Sequence, residues 1–377
     1  MKKIKSSKRA GRASEAGALL TAALALPGLG IGGAQAGNAP EEGVIGFKYL
    51  YYEDYQPSTR RMKILAPSVH ASKTIGGDWV VQGQYVIDSV SGASPAVHSS
   101  VSGASKIQDT RRAGDVKLTR YFDRSALGVS IAASKEDDYR SRALGLDYRI
   151  FSENKNTTYA FGIGGSSDDI QATNEATKRG SKSTREGLVG ITQVLSATDI
   201  VQSNITYTQG NGYFNDPYKT LDQRPRDRRQ LAWLIRWNHH FTGSNATLRT
   251  SYRYYQDSWG VKSSAVAGEW VQPIGRGLSV VPNLRYASQS ASTFYRDPPF
   301  PNGYTATGFY SADQRLSAFG AITTGLKVIM DFPGGWSVDL KAEYYEQRGA
   351  WRIFGEGSPG LEPFKAQMYQ LGVSTKF

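Results

Sequence analysis

The residues that come nearest to catalytic chemistry are Gly92-Ala93-Ser94-Pro95, followed by His98. A serine nucleophile needs a hydroxyl thrust out on a tight turn and a base beside it, the task of a Gly-x-Ser-x-Gly elbow. Position 96 is alanine, not glycine, and no carboxylate is placed to orient His98. The run Val90-Ser-Gly-Ala-Ser94 recurs as Val101-Ser-Gly-Ala-Ser105, which reads more simply as two turns of small residues. The histidines offer no better site. His239 and His240 are adjacent, so on a strand they point to opposite faces and share no metal; His70 and His98 lie far away in sequence. Asp137-Asp138 and Asp168-Asp169 are loop acids that could bind calcium, though solvation is the ordinary role. Zero cysteines exclude disulfides, thiolate metal sites and a cysteine nucleophile. The expectation is therefore no catalytic centre, no metal and no cofactor.

A second set of residues points to electrostatic work instead. Arg236, Arg249, Arg253, Arg285, Arg315 and Lys341, with Asp339 and Glu343, belong to the polar faces of segments that alternate apolar and polar residues. Arrayed on one wall, such cations favour anions; mutual pairing with carboxylates would instead staple the wall shut. Which of these holds depends on the elements that carry them.

Residues 1–36 are expected to be a cleaved signal peptide. Lys2, Lys3, Lys5, Lys8, Arg9 and Arg12 form a basic start, an apolar stretch too short to span a bilayer follows, and Ala34-Gln35-Ala36 supplies the small-x-small cleavage signal. Residues 37–377 are expected to form one domain. The whole chain has 45 basic and 33 acidic residues; the leader holds six of the basic and one of the acidic, which leaves +7 on the exported part. That mild charge, without a Lys/Arg block, gives no reason to expect a nucleic-acid partner.

From Gly43 onward, seven short turns rich in Gly, Asn, Asp, Pro and Ser interleave with eight mostly longer connections, at 52–61, 89–113, 135–140, 168–185, 211–228, 256–260, 290–312 and 349–363. That arrangement predicts an all-β, transmembrane, antiparallel up-and-down barrel of about sixteen strands with both termini on the short-turn, periplasmic side. Trp79, Phe122, Tyr159, Trp237, Phe241, Trp270, Phe332, Trp336 and Phe377 fall near the short turns, and Tyr51, Tyr207, Tyr254, Tyr286 and Tyr344 near the long loops. Two aromatic levels suit the interfacial girdles of a membrane barrel. The last nine residues alternate strictly, with Tyr369, Leu371, Val373, Thr375 and Phe377 on one face. They read as the closing strand, pairing with the strand before it and with the first strand near Val44–Tyr52. Upstream, Lys365 and Gln367 share the Tyr369 face, which requires either a bulge or the end of the apolar band.

Several blocks resemble a bacterial family, domain of unknown function (DUF) family 3570. They include Tyr49-Leu-Tyr-Tyr-Glu-Asp54, Asp88-Ser-Val-Ser-Gly-Ala-Ser-Pro95, Ala113-Gly-Asp-Val-Lys-Leu-Thr-Arg-Tyr-Phe122, Gly212-Tyr-Phe-Asn-Asp-Pro-Tyr218, Arg236-Trp-Asn-His-His-Phe241, Ser311-Ala-Asp-Gln-Arg-Leu-Ser-Ala-Phe319 and Ser358-Pro-Gly-Leu-Glu-Pro-Phe364. The resemblance spans the exported chain and implies a barrel in the outer membrane of a Gram-negative bacterium. By resemblance to other barrels, Tyr369, Leu371, Val373 and Phe377 are the handle for the barrel-assembly machinery. Genes of the family tend to lie beside a small lipoprotein, a thioredoxin-like protein and a flavin-transferring enzyme, which hints at such a partner.

If the apolar faces look at lipid, strands 5, 7 and 8 turn Gly128, Ser130, Ala132, Ala160, Gly162, Gly164, Gly190 and Thr192 inward, while strands 10 to 15 turn the arginine-rich set inward. A wall of small residues leaves room. The expectation is that loop 89–113, with Ser91, Gly92, Ala93, Ser94 and Pro95, folds in against that wall. The function expected is a channel for small polar or anionic solutes with a loop-constricted lumen; the alternative is a barrel scaffold for a lipoprotein or redox partner.

Overall fold

The structure is a computed structural model that describes residues 37–57, 59–93, 106–172, 179–217, 219, 222–298 and 307–377. The expected leader, Ser94, Pro95 and His98 lie outside these residues. Among the described residues, sixteen antiparallel strands close into one barrel. In chain order they are β1 (Val44–Gln56), β2 (Thr59–Ile75), β3 (Trp79–Ala93), β4 (Lys106–Phe122), β5 (Ser125–Lys135), β6 (Tyr139–Phe151), β7 (Thr157–Gln171) and β8 (Arg179–Val194). The second half comprises β9 (Asp199–Gly212), β10 (Asp227–Phe241), β11 (Ala246–Asp257), β12 (Lys262–Gly275), β13 (Leu278–Gln289), β14 (Phe319–Asp331), β15 (Trp336–Arg348) and β16 (Phe364–Lys376). Each strand pairs with its neighbours in sequence and β16 pairs with β1, so the described barrel sheet has no open edge. The expected strand count and order are those observed.

Alternation decides which way each face looks. Ile131, Leu144, Ile163, Val189, Val266, Leu284 and Leu340 are large apolar residues exposed on the outer face. In water such a band would be a liability; against hydrocarbon it is the face the barrel needs. Aromatic side chains flank it at both ends, with Trp79, Phe241, Trp336 and Phe377 at the short turns and Tyr207 and Tyr369 toward the long connections.

Closure is as the terminal strand predicted. Val44 lies opposite Lys376 and Tyr51 opposite Tyr369, and Gly43 and Phe377 exchange backbone hydrogen bonds of 2.8 and 3.0 Å. Both ends of the described chain therefore sit at the short-turn end. No register shift interrupts β16, so Lys365 and Gln367 mark the end of the apolar band rather than a bulge. Lys365 reaches Glu346 at 3.8 Å, and Tyr369 Oη donates to Gln367.

Several connections are shorter than the sequence suggested, because strand pairing continues past the apolar band. Ser91, Gly92 and Ala93 are not loop residues: they extend β3 and lie opposite Gln108, Ile107 and Lys106 of β4. Asp168 is not a solvated loop acid either. It lies inside β7, fully buried, accepting from Ser141 Oγ at 2.6 Å and paired with Lys182 at 3.2 Å.

Candidate functional site

The inner wall can be traced from one residue. Trp233 and Trp237 are exposed on the outer face of β10, so Arg236 looks inward. It lies opposite Ser251 of β11, which puts Arg249 and Arg253, two positions to either side, on the same inner face. Arg249 is opposite Glu269, Ala267 opposite Arg285, and Arg285 opposite Thr323; Lys327 is opposite Lys341, with Asp339 and Glu343 flanking it. Every charged residue expected on the lumen wall is there except one. Arg315 sits in a 3-10 turn, Gln314–Leu316, ahead of β14, where its backbone N–H and guanidinium both bond Asp313.

Within the wall the charges divide. Arg249 pairs with Glu269 at 3.9 Å, Lys327 with Asp339 at 3.5 Å and Lys341 with Glu343 at 2.9 Å. Arg236 donates to the amide oxygen of Gln202 at 3.3 Å, and Arg253 lies over the Tyr255 ring at 5.6 Å. Neither these two nor Arg285 has a carboxylate ion-pair partner among the described residues. Beside Arg285 is a cavity of about 240 Å³ lined by Ala267, Asn283, Thr323, Glu343, Tyr345 and Met368.

The small-residue wall faces inward as expected, but it is not empty. A Cβ on Gly128 would fall 2.3 Å from an Asp147 carboxylate oxygen and 2.7 Å from Lys117 Cε. The glycine thus seats the Lys117–Asp147 ion pair of 2.5 Å. Gly190 makes room for Asn204 in the same way.

A loop does fold into the barrel, and it is a different one from the loop expected. The connection 213–226 turns Tyr213 and Phe214 inward. A Cβ on Gly180 would meet Tyr213 at 2.5 Å, and one on Gly210 would meet the tip of Phe214 at 2.8 Å. Both glycines belong to the inner face, since Lys182 and Thr208 stand opposite inward residues. Phe214 packs edge-on against Trp259 at 5.4 Å, and Trp259 against Phe294 at 5.3 Å. Val261, Tyr295 and Leu316 complete a buried apolar cluster. The indole of Trp259, 2% exposed, donates to Asp227 O, and the Arg228 guanidinium lies 4.2 Å over its ring.

The connection 290–318 joins it from the other side. Short strands Asp222–Gln223 and Tyr310–Ser311 pair the two loops. Asp313, 2% exposed, lies within 2.9 Å of both Lys219 and Arg224 and is also gripped by Arg315. Asp216 and Asp222 balance the remaining charge. Burial alone would raise the Asp313 pKa, but Arg315, Lys219 and Arg224 pull it well below the usual carboxylate range. Burial lowers that of Lys219. The turn then crosses the mouth: inward Gln289 of β13 donates to Arg315 O and Ser317 O, while Gln314 accepts from Gln56 of β1 at 3.3 Å. A chord from β13 to β1 passes over β14, β15 and β16. Sixteen strands leave a lumen wide enough for water, and this two-loop plug narrows its long-loop end.

Sequence reasoning missed the plug. Its signal was aromatic residues, Tyr213, Phe214, Phe294 and Tyr295, in connections that would be polar if they faced only water.

The chain belongs to the family described as a protein of unknown function (DUF3570), whose profile matches residues 16–104 and 96–368. No curated protein matches the sequence. By fold, the barrel is similar to CdiB from Acinetobacter baumannii, with a TM-score of 0.52 and 9% identity, over 88% of this chain and 60% of that one. It is also similar to a bacterial polysaccharide outer membrane secretin, with a TM-score of 0.51 and 7% identity, over 90% of this chain and all of the other. The chain thus spans less than two thirds of CdiB. At these identities the likeness is one of fold, and that fold is the outer-membrane barrel.

Proposed function

We propose that the protein is a gated channel for small anionic solutes in the bacterial outer membrane, with its short turns and termini periplasmic and its plugged mouth outside. The observation that supports this reading most is the set of three inward guanidinium groups, Arg236, Arg253 and Arg285, that no carboxylate pairs among the described residues. A wall meant only to staple a barrel would be expected to neutralise them as it neutralises Arg249, Lys327 and Lys341. No catalytic role is assigned to Ser94 or His98, and no cofactor is invoked.

The test is conductance of the purified barrel in a planar bilayer, with and without the clasp substitution Asp313→Asn. Anion-selective openings that become more frequent in the variant support a gated channel. Failure of both proteins to conduct sinks it.

The plug itself favours a second reading, a scaffold whose lumen is never open. Such a barrel would retain a small lipoprotein, or a thioredoxin-like or flavin-transferring partner, through purification from native membranes, and Asp313→Asn would leave it non-conducting.

A further inference from the structure

On the outer face of β4, β5 and β6, cations stand directly opposite one another across the sheet. Arg112 is paired in register with Lys135, and Lys135 with Arg140. Arg142 follows on the same face of β6, and all four side chains are exposed. Like charges in direct cross-strand register repel, so a sheet has no reason of its own to stack them. None of the four has an ion pair or hydrogen-bond partner for its side chain among the described residues. Asp169, opposite Arg140, and Asp137 in the β5–β6 turn leave the patch with an excess of two positive charges.

Around the β16–β1 seam the same height is handled differently. There Arg60 pairs with Glu53 at 2.9 Å, and Arg348 and Lys365 share Glu346. The fold neutralises outward cations in one place and leaves them free in another.

Immediately below the free cations lies the lipid-facing band: Val116, Ile131 and Leu144 form one register row, each about half exposed. A ligand at this height must put an anionic head against Arg112, Lys135 and Arg140 and an apolar body against that row. Strand spacing sets those three cations across about 10 Å, wide enough for more than one phosphate. We infer that this face binds the phosphorylated headgroup of an outer-leaflet glycolipid. The inference rests on the long-loop end facing outward, which is tested separately: the chain has no cysteine, so Asp137→Cys gives a unique thiol that a membrane-impermeant maleimide should label on whole cells.

The binding test uses the full chain in uncharged detergent, titrated with bisphosphorylated lipid A, dephosphorylated lipid A or inorganic phosphate. Native mass spectrometry and thermal unfolding are the readouts. Bisphosphorylated lipid A should bind the wild type and raise its melting temperature. The triple variant Arg112→Gln, Lys135→Gln, Arg140→Gln should bind it at least about tenfold more weakly, and Arg60→Gln should bind it as the wild type does. Relieved of its like-charge rows, the triple variant should melt no lower than the wild type in detergent alone, which separates lost binding from lost folding. Equal lipid binding by wild type and triple variant would overturn the inference, as would equal binding of dephosphorylated lipid or full displacement of the lipid by millimolar phosphate.

Discussion

Asp313 and Arg224, 89 positions apart in the chain, meet at 2.9 Å inside the barrel mouth. The contact ties two loops that leave opposite flanks of β10 to β13, so the plug is held by a buried ionic clasp as well as by the Phe214–Trp259–Phe294 stack. Removing one partner of a buried ion pair leaves the others uncompensated, at a cost of about 3 kcal/mol. Asp313→Asn should therefore loosen the plug without unfolding the wall, whose ladders do not involve position 313. Protease sensitivity at residues 213–226 and 290–318 should rise, while the heat-dependent gel shift of the intact barrel stays unchanged.

The same clasp sets an acid response. Asp313 has its folded-state pKa depressed well below 3.8, so its contribution is present above that ordinary value and is lost as the pH falls through the folded one. Channel openings should be rare and pH-independent around neutrality and should become frequent only on acidification below about pH 4. Asp313→Asn should open at neutral pH and lose that acid step. A step of the same size in the variant would assign the titration to another group.

Packing against glycine gives a way to unseat the plug without touching a charge. Gly210 faces the tip of Phe214, and a side chain there must push the ring away. Gly210→Leu should displace Phe214 and raise single-channel conductance. Phe214→Ala, which removes the ring but not its seat, should act in the same direction, with a loss of about 1–3 kcal/mol of plug stability. Unchanged conductance in both would mean that Phe214 is not in the ion path.

Selectivity should follow the unpaired cations. Arg236→Gln, Arg253→Gln and Arg285→Gln together should shift the reversal potential in a salt gradient away from anion preference. Arg249→Gln removes one charge against three, so it should do less even though it leaves Glu269, its partner at 3.9 Å, bare. If Arg249→Gln alone matches the triple variant, the division of the wall into paired and unpaired cations is without consequence for transport.

The wall was legible in the sequence because its two faces meet different surroundings, and a period of two records that directly. Trp233, Ile235 and Trp237 against Leu234, Arg236 and Asn238 is enough to orient β10, and register then hands the orientation to Arg253 and Arg285. Arg315 could not be placed that way. Its position depends on Asp313, Lys219 and Arg224 converging from two loops, and no local pattern encodes a contact between loops. Ser91 to Ala93 failed for a related reason: Gly and Ser read as a turn, yet cross-strand pairing with 106–108 extends the hairpin. Gly128 and Gly190 were read as empty space, when each is the seat of a larger side chain brought by a neighbouring strand.

Closure of the barrel should depend on Phe377. Phe377 exchanges two backbone hydrogen bonds with Gly43, its ring packs where a Gly43 side chain would stand, and Lys73 Nζ lies 5.1 Å over the ring. The outward ring thus locks the β16–β1 seam at the short-turn interface. Phe377→Ser keeps the backbone bonds but removes the aromatic anchor and the cation–π contact, together worth about 1–3 kcal/mol. Export should proceed as before, while the fraction of chain showing the folded barrel's gel mobility should fall and unassembled chain should accumulate. Phe377→Trp, which retains an interfacial aromatic, should restore assembly. If Phe377→Ser assembles as the wild type does, the seam is held by its hydrogen bonds alone and the Phe377 ring is dispensable.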